Sequence, residues 1–110
     1  MELAEEAQRG ATIVTVSGRI DSANAKQFEE ALMSRLNAVA SSVLLDLSRL
    51  QYISSAGLRV ILLAAKQQQA SQRSFALCSL TPMIKEVFEV SGFNRILGIY
   101  PNRDDALAAL

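Results

Sequence analysis

Two kinds of periodic segment alternate along the 110 residues of this chain. Residues 11–17 read ATIVTVS, a β-branched run whose side chains alternate as in a half-buried strand. Residues 28–39 instead repeat apolar side chains at helical spacing. Short turn signals separate such segments, without a linker, repeat or low-complexity tract. Because helices that connect strands form right-handed crossovers, this alternation predicts a largely parallel sheet covered by helices.

The complete pattern predicts four to five strands and about four helices. The strands are expected at residues 3–7, 11–17 (ending at Gly18), 43–47, 74–80 and 95–100. The helices are expected after Asp21 or Ser22, near Ser55, at Pro82 and after Asn102. The first two strands form a hairpin on this interpretation, so the sheet is mixed but mostly parallel. We therefore expect a small α/β sandwich, with residues 1–110 forming one domain.

Capping signals are clearest in the last third of the chain. Thr81 suits an N-cap and Pro82 the first position of a helix, and Gly92 suits the left-handed conformation that ends one. Asn102 is a second N-cap candidate, followed by two aspartates in the positive first turn. These signals predict two short helices near the C-terminus, whereas the polar residues 66–69 predict the end of the helix before them.

Composition argues against several classes of function. Eleven basic residues balance eleven acidic ones, and the isoelectric point is about 6.2. Such a chain lacks the positive potential that attracts nucleic acid or anionic lipid. The chain has no histidine, which is the usual general base and the commonest metal ligand. The absence of histidine therefore excludes ordinary catalytic triads and histidine-bearing zinc sites.

The cysteine content, the first residues and the longest apolar run together indicate the cellular compartment. Cys78 is the single cysteine, so an internal disulfide is impossible, and nothing basic beside it suggests a reactive thiol. The first residues are acidic, unlike a secretory leader. The longest apolar run, residues 60–65, is much shorter than the roughly 20 residues that cross a bilayer. We expect a soluble cytoplasmic protein with Cys78 in its core.

Residues 46–59, DLSRLQYISSAGLR, form the most unusual segment. It predicts a buried strand, a short connection with Tyr52 and Ile53 pointing inward, and a helix that starts beside two serines. Free backbone N–H groups and the helix dipole at such a start favour an anion, such as a phosphate on Ser55 or on a ligand. Ala56 and Gly57 lack bulky side chains, which leaves room for another protein's active site to approach Ser55.

A simpler explanation requires no ligand. Either Ser54 or Ser55 is an N-cap, and Gly57 allows the helix to pack closely. Known catalytic and phosphate-binding motifs do not fit, because the segment lacks both Gly-x-Ser-x-Gly and a Gly-Lys-Ser/Thr ending. The serine pair is therefore either a modification site or a helix cap.

The order and spacing of several short motifs resemble the STAS domain family, in particular the stand-alone anti-sigma factor antagonists of bacterial partner-switching circuits. The motifs are GRID at 18–21, DLS at 46–48, YISSAGLR at 52–59, LTP at 80–82 and FEVSGF at 88–93. The resemblance spans nearly the whole chain. It implies a STAS fold and a protein that is acted upon by enzymes and is not an enzyme itself, with no catalytic residue, metal site or cofactor of its own.

The resemblance also implies partners and sites. In such circuits the unphosphorylated protein binds an anti-sigma factor that is an ATP-dependent serine kinase, and so releases the target. Phosphorylation ends binding, and a metal-dependent serine phosphatase restores it. The family's phosphorylated serine matches Ser55, although many members carry Asp where this chain has Ser54. The implied partner-binding residues are Asp21, Ser22, Ser54, Ala56, Gly57 and Arg59.

Several alternatives stay open at this point. Asp21 belongs either to the docking face or to a turn, and Asp46 either orients the serine loop or accepts backbone hydrogen bonds at a strand end. Met83 and Ile84 either extend the docking face or begin a buried helix stripe. Two other functions compete: a STAS subunit that scaffolds the ATPase of a membrane lipid-transport complex, and a nucleotide-binding or nucleotide-hydrolysing protein that uses the serine loop.

Overall fold

The β-branched segment forms the longest strand in a computed structural model that describes residues 1–110. The strands are β1 (Glu2–Gln8), β2 (Ala11–Ile20), β3 (Ser42–Asp46), β4 (Leu50–Ile53), β5 (Phe75–Cys78) and β6 (Gly98–Tyr100). The helices are α1 (Ala25–Ala38), α2 (Ser55–Ala70), α3 (Pro82–Ser91) and α4 (Arg103–Ala109). None of these helices is long and apolar enough to span a membrane.

All six strands belong to one sheet, ordered β1-β2-β3-β5-β6, and β4 pairs with β2. Only β1 and β2 are antiparallel; the pairs β2 with β3, β2 with β4, β3 with β5 and β5 with β6 are parallel. The predicted mixed, mostly parallel α/β architecture with four helices is therefore confirmed. The sheet has one strand more than the four to five expected.

The additional strand is β4, which the sequence pattern presented as a connection. It pairs with the last three residues of β2, Gly18 to Ile20. Gly18 was expected to end β2, but it lies at an irregularity within the strand, with φ at 91°. Glycine adopts this conformation without the steric cost that a side chain brings, so β2 continues past it. The extended β2 then provides a partner for β4.

Side chains of β2 alternate between two cores. Val14 and Val16 enter a core of 19 buried residues that β2 shares with α1, α2 and α3. Ile13 enters a core of 7 buried residues shared with Leu44 and α4. Cys78 lies in this smaller core as predicted, and burial raises the pKa of its thiol. Helices therefore cover both faces of the sheet. Helices α1, α2 and α3 pack on one face, and α4 by itself packs on the other.

The predicted caps of α3 and α4 are confirmed. The hydroxyl of Thr81 accepts a hydrogen bond from the backbone N–H of Ile84, at 3.4 Å, and Gly92 ends α3 with φ at 79°. The side-chain oxygen of Asn102 accepts one from the N–H of Asp105, at 2.8 Å. These caps involve residues three apart in sequence, so local patterns predict them well.

The start of α1 was assigned incorrectly. Its N-cap is Asn24, and neither Asp21 nor Ser22 caps it. Instead, one carboxylate oxygen of Asp21 accepts hydrogen bonds from the N–H groups of Ala23 and Asn24, at 2.9 and 3.1 Å. Asp21 and Ser22 thus form the turn between β2 and α1, because the carboxylate bonds to that turn before the helix begins.

Two elements differ in length from the prediction. Helix α2 continues through residues 66–69 to Ala70. Gln68 is buried, and its side-chain amide donates to the carbonyl oxygen of Ser74, at 3.4 Å. Strand β6 begins at Gly98, since residues 93–95 form a short 3₁₀ turn. Both boundaries involve hydrogen bonds between residues close in sequence, from the N–H of Ser71 to the carbonyl oxygen of Gln67 and from the N–H of Ile96 to that of Phe93.

Candidate functional site

The two adjacent serines have different roles at the start of α2. Ser54 is the N-cap: its Oγ accepts a hydrogen bond from the N–H of Gly57, at 3.2 Å, and its own N–H donates to the carbonyl oxygen of Ile20, at 2.8 Å. Ser55 is the first residue of the helix and is exposed. The cap is thus assigned to Ser54, and the hydroxyl of Ser55 is left open to solvent.

The small residues after the serines do not both face the surface. Ala56 is partly buried, whereas Gly57 is buried. A Cβ atom on Gly57 would lie only 2.7 Å from Cγ2 of Ile20 and 2.8 Å from Cγ1 of Ile53. Carbon atoms do not approach this closely without displacement. The geometry therefore favours close helix packing for Gly57 over direct contact with a partner.

The connection before the serines corrects one prediction. Ile53 points into the core as expected, but Tyr52 is 37% exposed. The reason is that Tyr52 and Ile53 are neighbours in β4 and point to opposite faces, after an irregularity in the pairing with β2 that leaves Gln51 without a partner. The guanidinium of Arg19 lies 4.5 Å from the centroid of the Tyr52 ring, an exposed cation–π contact.

An apolar groove of about 400 Å³ runs from Ser55 along α3. We call it the Ser55 groove; it is lined by Ser55, Leu58, Met83, Glu86, Val87, Val90 and Ser91. Met83 and Val90 are 63% and 83% exposed, and because both line the groove they form an exposed apolar patch beside Ser55. Ile84 is buried, so of the two candidate contact residues only Met83 is available at the surface.

Strand pairing brings the predicted docking residues together. Ile20 pairs with Ile53, and these residues directly precede Asp21 and Ser54. Because the two strands are parallel, the turn that holds Asp21 and Ser22 lies beside the start of α2. Asp21 is partly buried and Ser22 is exposed. Arg59 is exposed one helical turn after Ser55.

Asp46 contacts neither serine. One carboxylate oxygen accepts a hydrogen bond from the N–H of Ser48, at 2.9 Å, and the other accepts one from Nε of Arg103, at 2.7 Å. Burial alone would raise the pKa of Asp46, but the hydrogen bonds from Ser48 and Arg103 hold that pKa below its ordinary value of 3.8. Asp46 therefore holds a strand end and α4 in place, as the backbone-donor alternative predicts.

Arg103 is a residue that sequence reasoning missed. It also binds Glu6, with 2.7 Å between Nη1 and Oε1, and Thr15, with 3.3 Å between Nη2 and Oγ1. No local signal marks it, because 57 positions separate it from Asp46 in the sequence. No group of three or more acidic or cysteine side chains is placed to hold a metal ion.

Comparison with known proteins identifies the family. The sequence pattern of the STAS domain matches residues 2–106. The chain belongs to the STAS domain family. The predicted family is thereby confirmed, and in this STAS domain Ser55 lies at the position where the motif YISSAGLR meets α2.

Relatives of this STAS domain include stand-alone proteins of similar length. A Bordetella bronchiseptica protein named as an anti-sigma factor antagonist, BtrV, is 45% identical over 109 residues, covering 99% of this chain and 94% of the relative. The anti-sigma F factor antagonist of Paenibacillus polymyxa is 31% identical over 114 residues, covering 100% and 95%. The crystal structure of an anti-sigma factor antagonist from Mycobacterium paratuberculosis superposes with a TM-score of 0.88, at 25% identity, covering 98% and 92%.

Proposed function

We propose that this protein is an anti-sigma factor antagonist whose switch residue is Ser55. The unmodified chain binds an anti-sigma factor, which releases its target, and phosphorylation of Ser55 ends this binding. The observation that supports the proposal most is the different environment of the two serines. Ser54 is engaged as the cap of α2, whereas Ser55 presents a free hydroxyl beside an apolar groove. The names of two relatives with near-complete coverage support the same function.

The docking surface combines this groove with a polar border. Met83 and Val90 supply apolar area, and removing such area from water contributes about 25 cal/mol per Å². Asp21, Ser22 and Arg59 supply polar and charged groups on the neighbouring surface, and Ser54 and Ala56 flank Ser55 in the sequence. This arrangement of an apolar centre and a charged border is typical of protein interfaces.

The anti-sigma factor is also the serine kinase in this proposal. Oγ of Ser55 attacks the γ-phosphorus of ATP, the bond from that phosphorus to ADP breaks, and the hydroxyl proton passes to a base of the kinase. A metal-dependent phosphatase then transfers the phosphoryl group to water, which releases inorganic phosphate and restores the hydroxyl. This chain is the substrate of both enzymes and catalyses neither reaction. It requires no cofactor of its own.

Charge explains why the modified form does not bind. A phosphate adds about −1.5 to −2 charges to a surface that must lose its water on docking. A penalty of about 3 to 4 kcal/mol weakens binding by two to three orders of magnitude. The N-terminus of α2 stabilises the phosphate in the free protein, so the switch requires no change of fold.

Mass spectrometry of the intact chain, isolated from its native cells and followed by site mapping, tests the proposal. We expect a fraction of the molecules to carry one phosphate, mapped to Ser55. A phosphate on Ser54 instead would refute the assignment of the switch residue. Absence of phosphate under all growth conditions, with co-purification of a transporter ATPase, would favour the scaffold function of a lipid-transport complex.

A further inference from the structure

Arg59 is an exposed cation that lies one helical turn after Ser55 on α2. Residues four apart share a helix face, with Cβ atoms about 5 to 6 Å apart. Helical side chains lean towards the N-terminus, so a guanidinium at position 59 is within reach of the turn that contains Ser55. Arg59 takes part in none of the four ion pairs of the protein. Its guanidinium is therefore available for a new anion.

The first turn of α2 provides further donors. The oxygens of Ser54 accept hydrogen bonds from the N–H groups of Gly57 and Leu58. The N–H groups of Ser55 and Ala56 precede the first intrahelical donors and are left without helical partners. The first turn of α2 contains no acidic residue, whereas that of α4 contains two. The first turn of α2 itself therefore supplies no negative charge that would compensate its positive end.

We propose that Arg59 binds the phosphate on Ser55 and, with the first-turn N–H groups, holds it against α2. This inference rests on the proposed function, because it takes the phosphate on Ser55 as given. An anion followed by a cation four residues later is the favoured order along a helix. The planar guanidinium can donate two parallel hydrogen bonds to phosphate oxygens, which a lysine cannot do.

The contact changes what phosphorylation does to the docking surface. In the unmodified protein, the Arg59 guanidinium is free to pair with an acidic group of the partner. In the phosphorylated protein it is held by the phosphate instead. Phosphorylation thus adds negative charge and also withdraws a cation from the interface. Arg59 is a positioning residue for the phosphate.

Neighbouring carboxylates oppose this contact. Glu86 lines the same groove as Ser55, and its negative charge repels a phosphate dianion there. Asp21 lies in the turn that strand pairing places beside the start of α2. Arg59 lowers the second pKa of the phosphate, whereas the negative charges of Glu86 and Asp21 raise it. Removing the charge of Glu86 should therefore shift this pKa in the opposite direction to removing the charge of Arg59.

The experiment uses the full chain with phosphoserine incorporated at position 55 during synthesis. Phosphorus NMR follows the second ionisation of the phosphate in the parent chain and in Arg59→Gln. Loss of the cation should raise the second pKa of the phosphoserine by about 0.3 to 1. Lys66→Gln removes the same charge about 16 Å further along the helix from Ser55, and should leave the pKa unchanged. Glu86→Gln should lower it.

Two results would overturn the inference. One is identical titration of the parent chain and Arg59→Gln, with both shown to be folded by circular dichroism. The other is a shift of the phosphoserine pKa in Lys66→Gln that equals the shift in Arg59→Gln. An equal shift would show that the net charge of the protein determines this pKa, without a specific contact of Arg59. Because the phosphoserine is incorporated without a kinase, these outcomes are independent of the proposed function. Absence of phosphate in native cells would refute that function and leave the titration result unaffected.

Discussion

The adjacent hydroxyls of Ser54 and Ser55 show how one residue position separates a structural role from a proposed regulatory one. The sequence offered both serines as caps or modification sites, because cap preference depends on residue type and both residues are serine. The end of β4 decides the matter: Ser54 donates to Ile20 and accepts from Gly57, which makes it the cap. Ser55 then becomes the first helical residue, with its side chain exposed.

This difference predicts unequal effects on stability. Ser54→Ala removes the acceptor for the N–H of Gly57, and should lower the free energy of unfolding by about 1 kcal/mol. Ser55→Ala removes an exposed hydroxyl and should change the same free energy by less than about 0.5 kcal/mol. Urea denaturation followed by circular dichroism measures both values. Equal losses for the two variants would contradict the assignment of the cap.

The same pair of residues gives opposite expectations for binding. Ser55→Asp places a negative charge at the proposed switch position, and should weaken the affinity for the anti-sigma factor by about 100-fold, equivalent to 2.7 kcal/mol. Ser55→Ala should bind like the parent chain and accept no phosphate. Isothermal titration calorimetry with the purified partner measures both. Unchanged affinity for Ser55→Asp would exclude charge as the cause of release.

Helix α4 is a short element whose position depends on a long-range ion pair. Its first residue, Arg103, donates hydrogen bonds to Asp46 and Glu6, and its apolar side chains cover the smaller core. A third ion pair of the helix, between Arg9 and Asp104, is largely exposed. Because solvent screens an exposed pair, the contact of Arg103 with buried Asp46 should matter more for stability.

The lowered pKa of Asp46 predicts how this contact depends on pH. A carboxylate whose pKa is lower in the folded than in the unfolded state stabilises the fold above its unfolded pKa, and this contribution is lost as pH falls through its folded pKa. Asp46→Asn should therefore cost about 1 to 2 kcal/mol at pH 7. The difference from the parent chain should shrink once the pH falls below the ordinary pKa of 3.8 and disappear as the pH falls through the lower folded pKa.

Urea denaturation between pH 7 and pH 3 measures this difference, with the exposed pair as the control. Asp104→Asn should cost less than about 1 kcal/mol at pH 7. A cost for Asp46→Asn that stays constant across the range would show that packing of the side chain matters and its charge does not.

The fold brings separate parts of the chain together at the carboxyl ends of the parallel strands. Strands β2, β4 and β5 run parallel, so the segments that follow them emerge at the same edge. These segments are the Asp21 turn, the start of α2 and the start of α3. The proposed docking surface is therefore a product of topology, although each of its parts is short and local in the sequence.

Substitutions at two equally exposed apolar residues test how far the proposed docking surface extends. Met83 and Ile96 are both 63% exposed, but only Met83 lines the Ser55 groove. Met83→Glu should weaken binding to the anti-sigma factor at least about tenfold, because an unpaired charge replaces an apolar contact. Ile96→Glu should leave the affinity unchanged. Both should stay within about 0.5 kcal/mol of the parent in unfolding free energy. Equal losses of affinity would contradict the proposed boundary.

The sequence by itself determined most of the elements, the family and the position of the candidate site. The alternating and helical periodicities predicted five of the six strands and all four helices. The caps Thr81 and Asn102 and the terminating Gly92 were predicted because each acts on residues within about four positions. The motif around Ser55 is equally local, which is why its place at a helix start could be read from the chain.

Only the tertiary structure decided which side chains meet. The pairing of β4 with the end of β2 exposes Tyr52 and places Gly57 against Ile20 and Ile53. The bond between Asp46 and Arg103 likewise joins distant parts of the chain. The hydrophobic periodicity of the sequence shows which face of a helix or strand is apolar, but it does not show which distant helix or strand covers that face. Those contacts depend on the assembled sheet, where pairing and packing are satisfied together.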